Sequence, residues 1–284
     1  MSTGISYLDE VWNPVTGCSG KGCKVRENCW AREMVKRFPR IHGYYPTEFN
    51  LDGSNKSIEF NHINFHPDRL DKPLHWRKPR RIGVCFMGDL FDEQVPFDWF
   101  SQIMDIICEP SYAWNHQFFM LTKQPQRMKE FFNKLGWWGN SEYKATFPHL
   151  YLGVSITDQE DADRMIPELL RIPGKRWVSL EPMVGPVDLV ECRAIMGGPC
   201  GGGGEAGPVE YDVVGNIDWL VIGCQSGPKR RPMPLEWAYS VGDQCKAAGV
   251  PVYVKQLDLG GKCVKDINEF PQGLQVRQMP KDRR

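Results

Sequence analysis

Three cysteines stand within twelve residues near the amino end, in the run Thr16-Gly-Cys-Ser-Gly-Lys-Gly-Cys-Lys-Val-Arg-Glu-Asn-Cys-Trp30. Gly17, Gly20 and Gly22 let the backbone fold around a small object, so Cys18, Cys23 and Cys29 read as a metal loop. A structural zinc site closes with four ligands, and the second close pair of a zinc finger or ribbon is absent nearby. Soft ligation by three thiolates suits an iron–sulfur cluster instead. A 4Fe–4S cluster on three protein thiolates leaves one iron open. An open iron can chelate the amino and carboxylate groups of S-adenosylmethionine (SAM), the arrangement that cleaves the sulfonium and releases a 5′-deoxyadenosyl radical. The spacing here is C-x4-C-x5-C, against C-x3-C-x2-C in the common radical-SAM loop. A zinc site borrowing a distant His or Cys, and plain structural thiols, are the alternatives.

The other cysteines invite blander readings. Cys85, Cys108, Cys192, Cys224 and Cys245 sit among apolar neighbours, where a free thiol behaves as a small hydrophobe. Cys200 and Cys263 lie in glycine-rich or polar context and point nowhere in particular. Of the six histidines, His62 and His66 stand four apart, but Pro67 and the β-branched and aromatic residues around them argue against a helical zinc pair.

The elements that must position these groups follow a βα rhythm from residue 80 onward. Strands are predicted at Ile82–Phe86, Gln117–Leu121, Leu150–Val154, Arg176–Leu180, Trp219–Ile222 and Val252–Val254. Helices are predicted at Phe97–Cys108, Pro125–Lys134, Asp158–Arg171 and Leu235–Ala248. Asp158 is the expected N-cap of the third, with Asp161 partly filling the capping-box role, and Gly249 is the expected stop of the fourth. With one or two ambiguous strands before residue 66, the expected fold is α/β: a single-domain TIM-like parallel barrel, full or partial, over 1–284. A doubly wound sheet is the alternative, weakened because no G-x-G-x-x-G follows the first strand. The run 197–207 reads as a flexible insertion.

Parallel barrels bind ligands at the carboxyl ends of their strands, so the polar residue after each apolar run is the place to look. Those residues are Asp89, Lys123, Ser155, Glu181, Gln225 with Ser226, and Lys255 with Gln256. Such a ring points to a small polar ligand. Lys123, Gln225 and Lys255 are the candidate catalytic residues, and Gln225, Ser226, Lys255, Gln256, Lys229 and Arg230 the candidate substrate contacts. Asp89 and Glu181 read as an acid–base pair or, with Lys123 and Lys255 holding both ionised, as binding groups; the second reading is preferred. Two basic clusters, 75–81 and Lys229-Arg-Arg231, are candidates for nucleic-acid phosphates, with Trp76, Trp137 or Trp138 stacking on a base.

Composition bounds the rest. The 284 residues are 41% hydrophobic and 25% charged, which excludes disorder and collagen. Thirty-five basic residues balance thirty-five acidic ones, so no global field drives the chain onto nucleic acid or anionic lipid. No apolar run approaches the roughly 18 residues of a membrane span, and the first ten residues lack the pattern of a signal peptide, so the expected location is the cytoplasm.

Several segments, taken in order, resemble the phage Gp37/Gp68 family. They are Val11-Trp-Asn-Pro-Val-Thr-Gly-Cys18, Phe86-Met-Gly-Asp-Leu-Phe91, Leu121-Thr-Lys-Gln-Pro-Gln-Arg127, Leu152-Gly-Val-Ser155, Val178-Ser-Leu-Glu-Pro182, Ile217-Asp-Trp-Leu-Val-Ile-Gly-Cys-Gln-Ser-Gly227, Val254-Lys-Gln256 and Glu269-Phe-Pro-Gln-Gly-Leu-Gln-Val-Arg277. The resemblance implies a divergent radical-SAM protein on a TIM-type barrel. It implies that Cys18, Cys23 and Cys29 ligate a 4Fe–4S cluster, that Asp89 contacts the methionyl amino group, and that Lys123, Ser155 and Glu181 contact the rest of SAM. Relatives read Gly-Glu-Ser where this chain has Cys224-Gln225-Ser226, a departure expected to change substrate rather than cofactor. The expected enzyme acts on DNA or a modified nucleotide, moving an N-linked aminoacyl group of a modified thymine in phage DNA to a carbon linkage, and needs an external electron donor. A zinc-stabilised nucleic-acid-binding protein and a carboxylate-dependent barrel hydrolase are the competing functions.

Overall fold

Where apolar side chains run continuously the chain forms parallel strands buried on both faces, and where they recur every three to four residues it forms the helices that cover them. The computed structural model describes residues 4–49, 55–57, 59–111, 113–136, 147–190, 194–196, 209–211, 213–227 and 229–280. The chain divides into two compact units, Met1–Leu135 and Gly136–Arg284.

The first unit runs β1 (Glu10–Trp12), β2 (Val15–Thr16), α1 (Trp30–Arg37), β3 (Tyr44–Phe49), β4 (Asn55–Ser57), β5 (Asn64–Phe65), β6 (Arg81–Val84), α2 (Phe97–Ile107), β7 (Gln117–Thr122) and α3 (Pro125–Lys134). Strands β1, β6 and β7 are parallel, with Glu10 opposite Ile82 and Arg81 opposite Gln117. The short β1 is one of the strands that patterning before residue 66 leaves ambiguous. Helices α2 and α3 bury Phe100, Ile103, Met104, Met128, Phe131 and Phe132. Phe100 lies 5.1 Å from Phe131 and 5.2 Å from Phe132, centroid to centroid, and Phe91 joins them from the loop after β6. Each such ring contributes about 2 kcal/mol by burial.

The second unit runs β8 (Leu150–Ile156), α4 (Gln159–Leu170), β9 (Lys175–Leu180), β10 (Ala194–Met196), β11 (Val209–Tyr211), β12 (Trp219–Gly223), α5 (Leu235–Ala247), β13 (Val252–Leu259) and β14 (Lys262–Val264). Strands β8, β9, β12 and β13 are parallel neighbours in that order, and β14 returns antiparallel on β13. Every residue of β8 is buried. Gly153 on β8 faces Trp177 on β9, and a Cβ there would lie 2.4 Å from the indole nitrogen, so the glycine makes room for the ring. Trp177 packs on Trp219, which meets Tyr253 edge-on.

All six predicted strands and all four predicted helices form, with ends shifted by a few residues. Asp158 caps α4 by accepting the Asp161 N–H at 3.1 Å. Asp161 departs from the expected capping box: its carboxylate takes both the N–H and the hydroxyl of Thr157, one residue before the cap. Gly249 ends α5 with φ +69. The fold is α/β with a mostly parallel sheet in each unit, and among the described residues no closed barrel is shown. The insertion at 197–207, Cys192, Cys200, Trp137 and Trp138 lie outside the described residues. Among those described, no helix is long and apolar enough to cross a membrane.

Candidate functional site

Two glycines bring the cysteine loop to the end of β6. Beyond that strand, Cys85 takes a left-handed backbone (φ +58) and starts a tight turn closed by Gly88 N–H on the Cys85 carbonyl. The turn lays Gly88 against Gly17: Gly17 donates to Met87 O at 3.0 Å and accepts from the Asp89 N–H at 3.2 Å. A Cβ on Gly88 would stand 2.4 Å from Gly17 O, and one on Gly17 would stand 2.3 Å from His62 O. The residues that follow each glycine, Cys18 and Asp89, are thereby neighbours. Burial pushes the Cys18 thiol far up, and the Asp89 charge adds to that push.

The rest of the loop is held by polar side chains. Asp92, buried, accepts the Ser19 N–H at 2.8 Å, and Gln124 donates to Lys21 O at 2.7 Å. Cys18 Sγ accepts the Gly20 N–H at 3.3 Å. Cys29 is the N-cap of α1 without a side-chain cap hydrogen bond, and burial raises its pKa against the nearby backbone of Arg32 and Ala31 and against Lys123. Cys18 senses Cys29, and Cys29 senses Cys23. Cys18 and Cys29 pack against Ala31, Val35, Phe60 and Met87.

Among the described residues, no set of three or more His, Cys, Asp or Glu side chains is gathered tightly enough to hold a metal ion. The chemistry of the donors fits a cluster: three thiols on a glycine loop, two of them lined by apolar side chains and one, Cys18, by a backbone N–H donor. Burial chiefly, helped by neighbouring acidic groups and thiols, raises the Cys18 and Cys29 pKa values, and a coordinating metal deprotonates thiols outright.

Asp89 is buried and already engaged. Its Oδ1 accepts the Thr122 hydroxyl at 2.7 Å and the Phe91 N–H at 3.0 Å, and its Oδ2 accepts the Lys123 N–H at 3.0 Å. Burial still pushes its pKa up despite these bonds. Lys123 donates to Asp89 through its backbone N–H, and burial opposes ionisation of the carboxylate. Below the loop, the Thr16 hydroxyl lies 2.8 Å from both His42 Nδ1 and His66 Nε2, all three buried. Burial lowers both histidines, His66 to about 4.

In the second unit the predicted rim residues do assemble. Lys255 Nζ pairs with Glu181 Oε1 at 2.7 Å, Ser179 donates to the other oxygen at 3.3 Å, and Ser155 donates to the Glu181 carbonyl at 3.3 Å. A Cβ on Gly223 would press on the Glu181 carboxylate at 2.8 Å, so β12 ends in glycine to seat the pair. Gln225 is buried, its Oε1 accepts the Arg231 N–H at 2.9 Å, and its Nε2 finds no protein partner. Gln256 is buried and donates to the Cys224 carbonyl. Ser226 and Lys229 are exposed, and Arg230 is half-buried. The basic cluster at 75–81 is largely engaged: Arg80 pairs with Glu10, Arg81 with Asp9 and His75 with Asp71. Trp76 takes the Arg80 guanidinium on its face.

The sequence model of a family described as Protein of unknown function (DUF5131) matches residues 2–278. The chain belongs to this family. No curated protein and no solved structure matches it. In this DUF5131 protein, Asp92, Gln124, Thr16, His42 and His66 hold the cysteine loop or the residues beneath it, and sequence reasoning missed all five. The one available signal was the polar Asp-x-x-Asp spacing of Asp89 and Asp92 after β6.

Proposed function

We propose that this DUF5131 protein is a radical-SAM-type enzyme on a partial TIM-like barrel, with Cys18, Cys23 and Cys29 as ligands of a 4Fe–4S cluster. The reading is carried by one observation, the Gly17–Gly88 contact that sets the first cysteine of a three-thiol loop beside a buried carboxylate at a strand end. When bound, such a cluster supplies the electron that splits SAM into methionine and a 5′-deoxyadenosyl radical. The chain's own residues do the rest. Asp89 Oδ2, with one protein donor, keeps room to accept an N–H from a ligand ammonium. The Asp92 and Gln124 bonds tie the loop down, and apolar side chains pack against Cys18 and Cys29.

The substrate we propose is a modified thymine in DNA or a nucleotide derived from it, rearranged rather than hydrolysed, with Lys229, Arg230 and Ser226 meeting phosphate and Gln225 reading the base. The buried Gln225 Nε2 without a protein partner supports this, since an unpaired amide hydrogen is costly and a ligand acceptor relieves it.

Anaerobic reconstitution with iron and sulfide tests the assignment. A brown protein holding about four irons per chain is expected, with Cys→Ala at position 18, 23 or 29 losing the colour. With reductant and SAM, 5′-deoxyadenosine accumulates. Colourless protein, or tightly held zinc in its place, overturns the proposal.

A further inference from the structure

Beneath the cysteine loop lies a buried chain of polar groups that donates in one direction. Thr16 ends β2, opposite Asn64 of β5, and its hydroxyl lies 2.8 Å from His42 Nδ1 and 2.8 Å from His66 Nε2. The second ring nitrogen of His42, Nε2, lies 3.1 Å from the Glu59 carbonyl. A carbonyl only accepts, so His42 Nε2 carries the ring hydrogen of this neutral imidazole and Nδ1 is bare. The bare nitrogen takes the single hydrogen of the Thr16 hydroxyl. That oxygen in turn accepts from His66, whose hydrogen is therefore on Nε2. The His42 carbonyl, 3.3 Å from the same hydroxyl, is already served by Asn64 Nδ2 at 2.9 Å. Donation thus runs from His66 through Thr16 and His42 to Glu59.

Both neighbours of His42 in this chain lead to Cys18. Gly17 and Cys18 follow Thr16 directly, and a Cβ on Gly17 would stand 2.9 Å from His42 Cε1, so the ring packs against the glycine. Phe60 follows Glu59, and its carbonyl accepts the Cys18 N–H at 2.9 Å. The Phe60 ring lies 5.7 Å from the His42 ring, centroid to centroid, and belongs to the apolar group that packs on Cys18 and Cys29.

On the reading of the three cysteines as cluster ligands, we propose that His42 is the positioning residue for Cys18. Bonded to Thr16 by one ring nitrogen and to Glu59 by the other, it fixes the spacing of the two segments that hold the first thiolate. Both nitrogens are engaged, so His42 acts through those segments and is not itself a ligand. His66 completes the chain by supplying the hydrogen bond that leaves the Thr16 hydroxyl free to donate to His42.

Nitrogen-15 spectra of the iron-free full-length protein at pH 7 should show His42 and His66 both protonated at Nε2 and bare at Nδ1. In Thr16→Val and in His42→Phe the Cys18 amide should exchange with solvent about 10-fold faster relative to the amides of β7, and Thr16→Ser should restore the wild-type rate. A general loss of stability would speed both sets together. On anaerobic reconstitution the same two variants should need about 10-fold more iron for half-loading, with a shifted electron-resonance signal from the reduced cluster. A wild-type His42 with its hydrogen on Nδ1, or a Cys18 amide that keeps its rate relative to β7 in both variants, overturns the role of His42. Wild-type protein that takes up no iron overturns the cluster reading, and the tautomers and amide rates, recorded without metal, still decide whether His42 positions Cys18. The wild-type spectrum requires no substitution, so a variant that fails to fold leaves a decisive measurement in place.

Discussion

Asp89 and Glu181 occupy equivalent places in the chain's rhythm, each the first carboxylate after a buried parallel strand, yet the two units treat them in opposite ways. Asp89 receives three neutral donors, two from the backbone, and burial pushes its pKa up. Glu181 receives a cation, Lys255, with both side chains about one-sixth exposed. The first arrangement makes the carboxylate a structural clamp that positions the β7 end and the cysteine loop. The second is a charge pair that a polar ligand can open, since the Lys255 ammonium and the Ser179 hydroxyl are side-chain donors rather than fixed backbone N–H groups. Position after a strand marks a candidate, and the identity of the donors decides its job.

The comparison breaks most visibly at the glycines. Gly88→Ala puts a methyl on Gly17 O and should cost about 3 kcal/mol in urea unfolding, and under the proposed function it should also abolish iron uptake on anaerobic reconstitution. A loss below about 1 kcal/mol would show that the two glycines do not clamp the loop. Next is Asp89→Ala, which strands three donors and should cost about 2–3 kcal/mol, more than Glu181→Ala at the second rim.

Two smaller effects depend on pH. The folded pKa of His66 is lowered, so its contribution is complete above the ordinary histidine value near 6.5 and is lost as pH falls through about 4. Thermal unfolding should lose about 2 kcal/mol over that window, and His66→Asn should flatten part of the loss. Asp89 has the opposite sign: its folded pKa is raised, so its contribution is complete below the ordinary value of 3.8 and is lost as pH rises through the folded pKa. Asp89→Asn should remove that decline. The smallest effect belongs to the open pair: Lys255→Met should cost about 1–2 kcal/mol of stability, reduced by added salt, and a double-mutant cycle with Glu181→Gln should show coupling of about 1 kcal/mol.

Element type and order were legible from the residues because parallel strands buried on both faces are written as unbroken apolar runs, as in Leu150–Ile156, and helices as periodic ones. The rim list was legible for the same reason: the first polar residue after such a run must sit at the strand's end. The partners were not. Asp92 meets Ser19 across 73 positions and His66 meets Thr16 across 50, and no local pattern encodes a contact that long.

Sequence alone therefore determined the α/β alternation, the helix cap at Asp158 and stop at Gly249, and the three-thiol loop, since each is set by side chains within a few residues of one another. Tertiary structure alone decided which carboxylate is a clamp and which an ion pair, and why Gly17 and Gly88 admit no side chain. Those outcomes depend on burial and on donors arriving from distant segments, and both exist only once the strands are side by side.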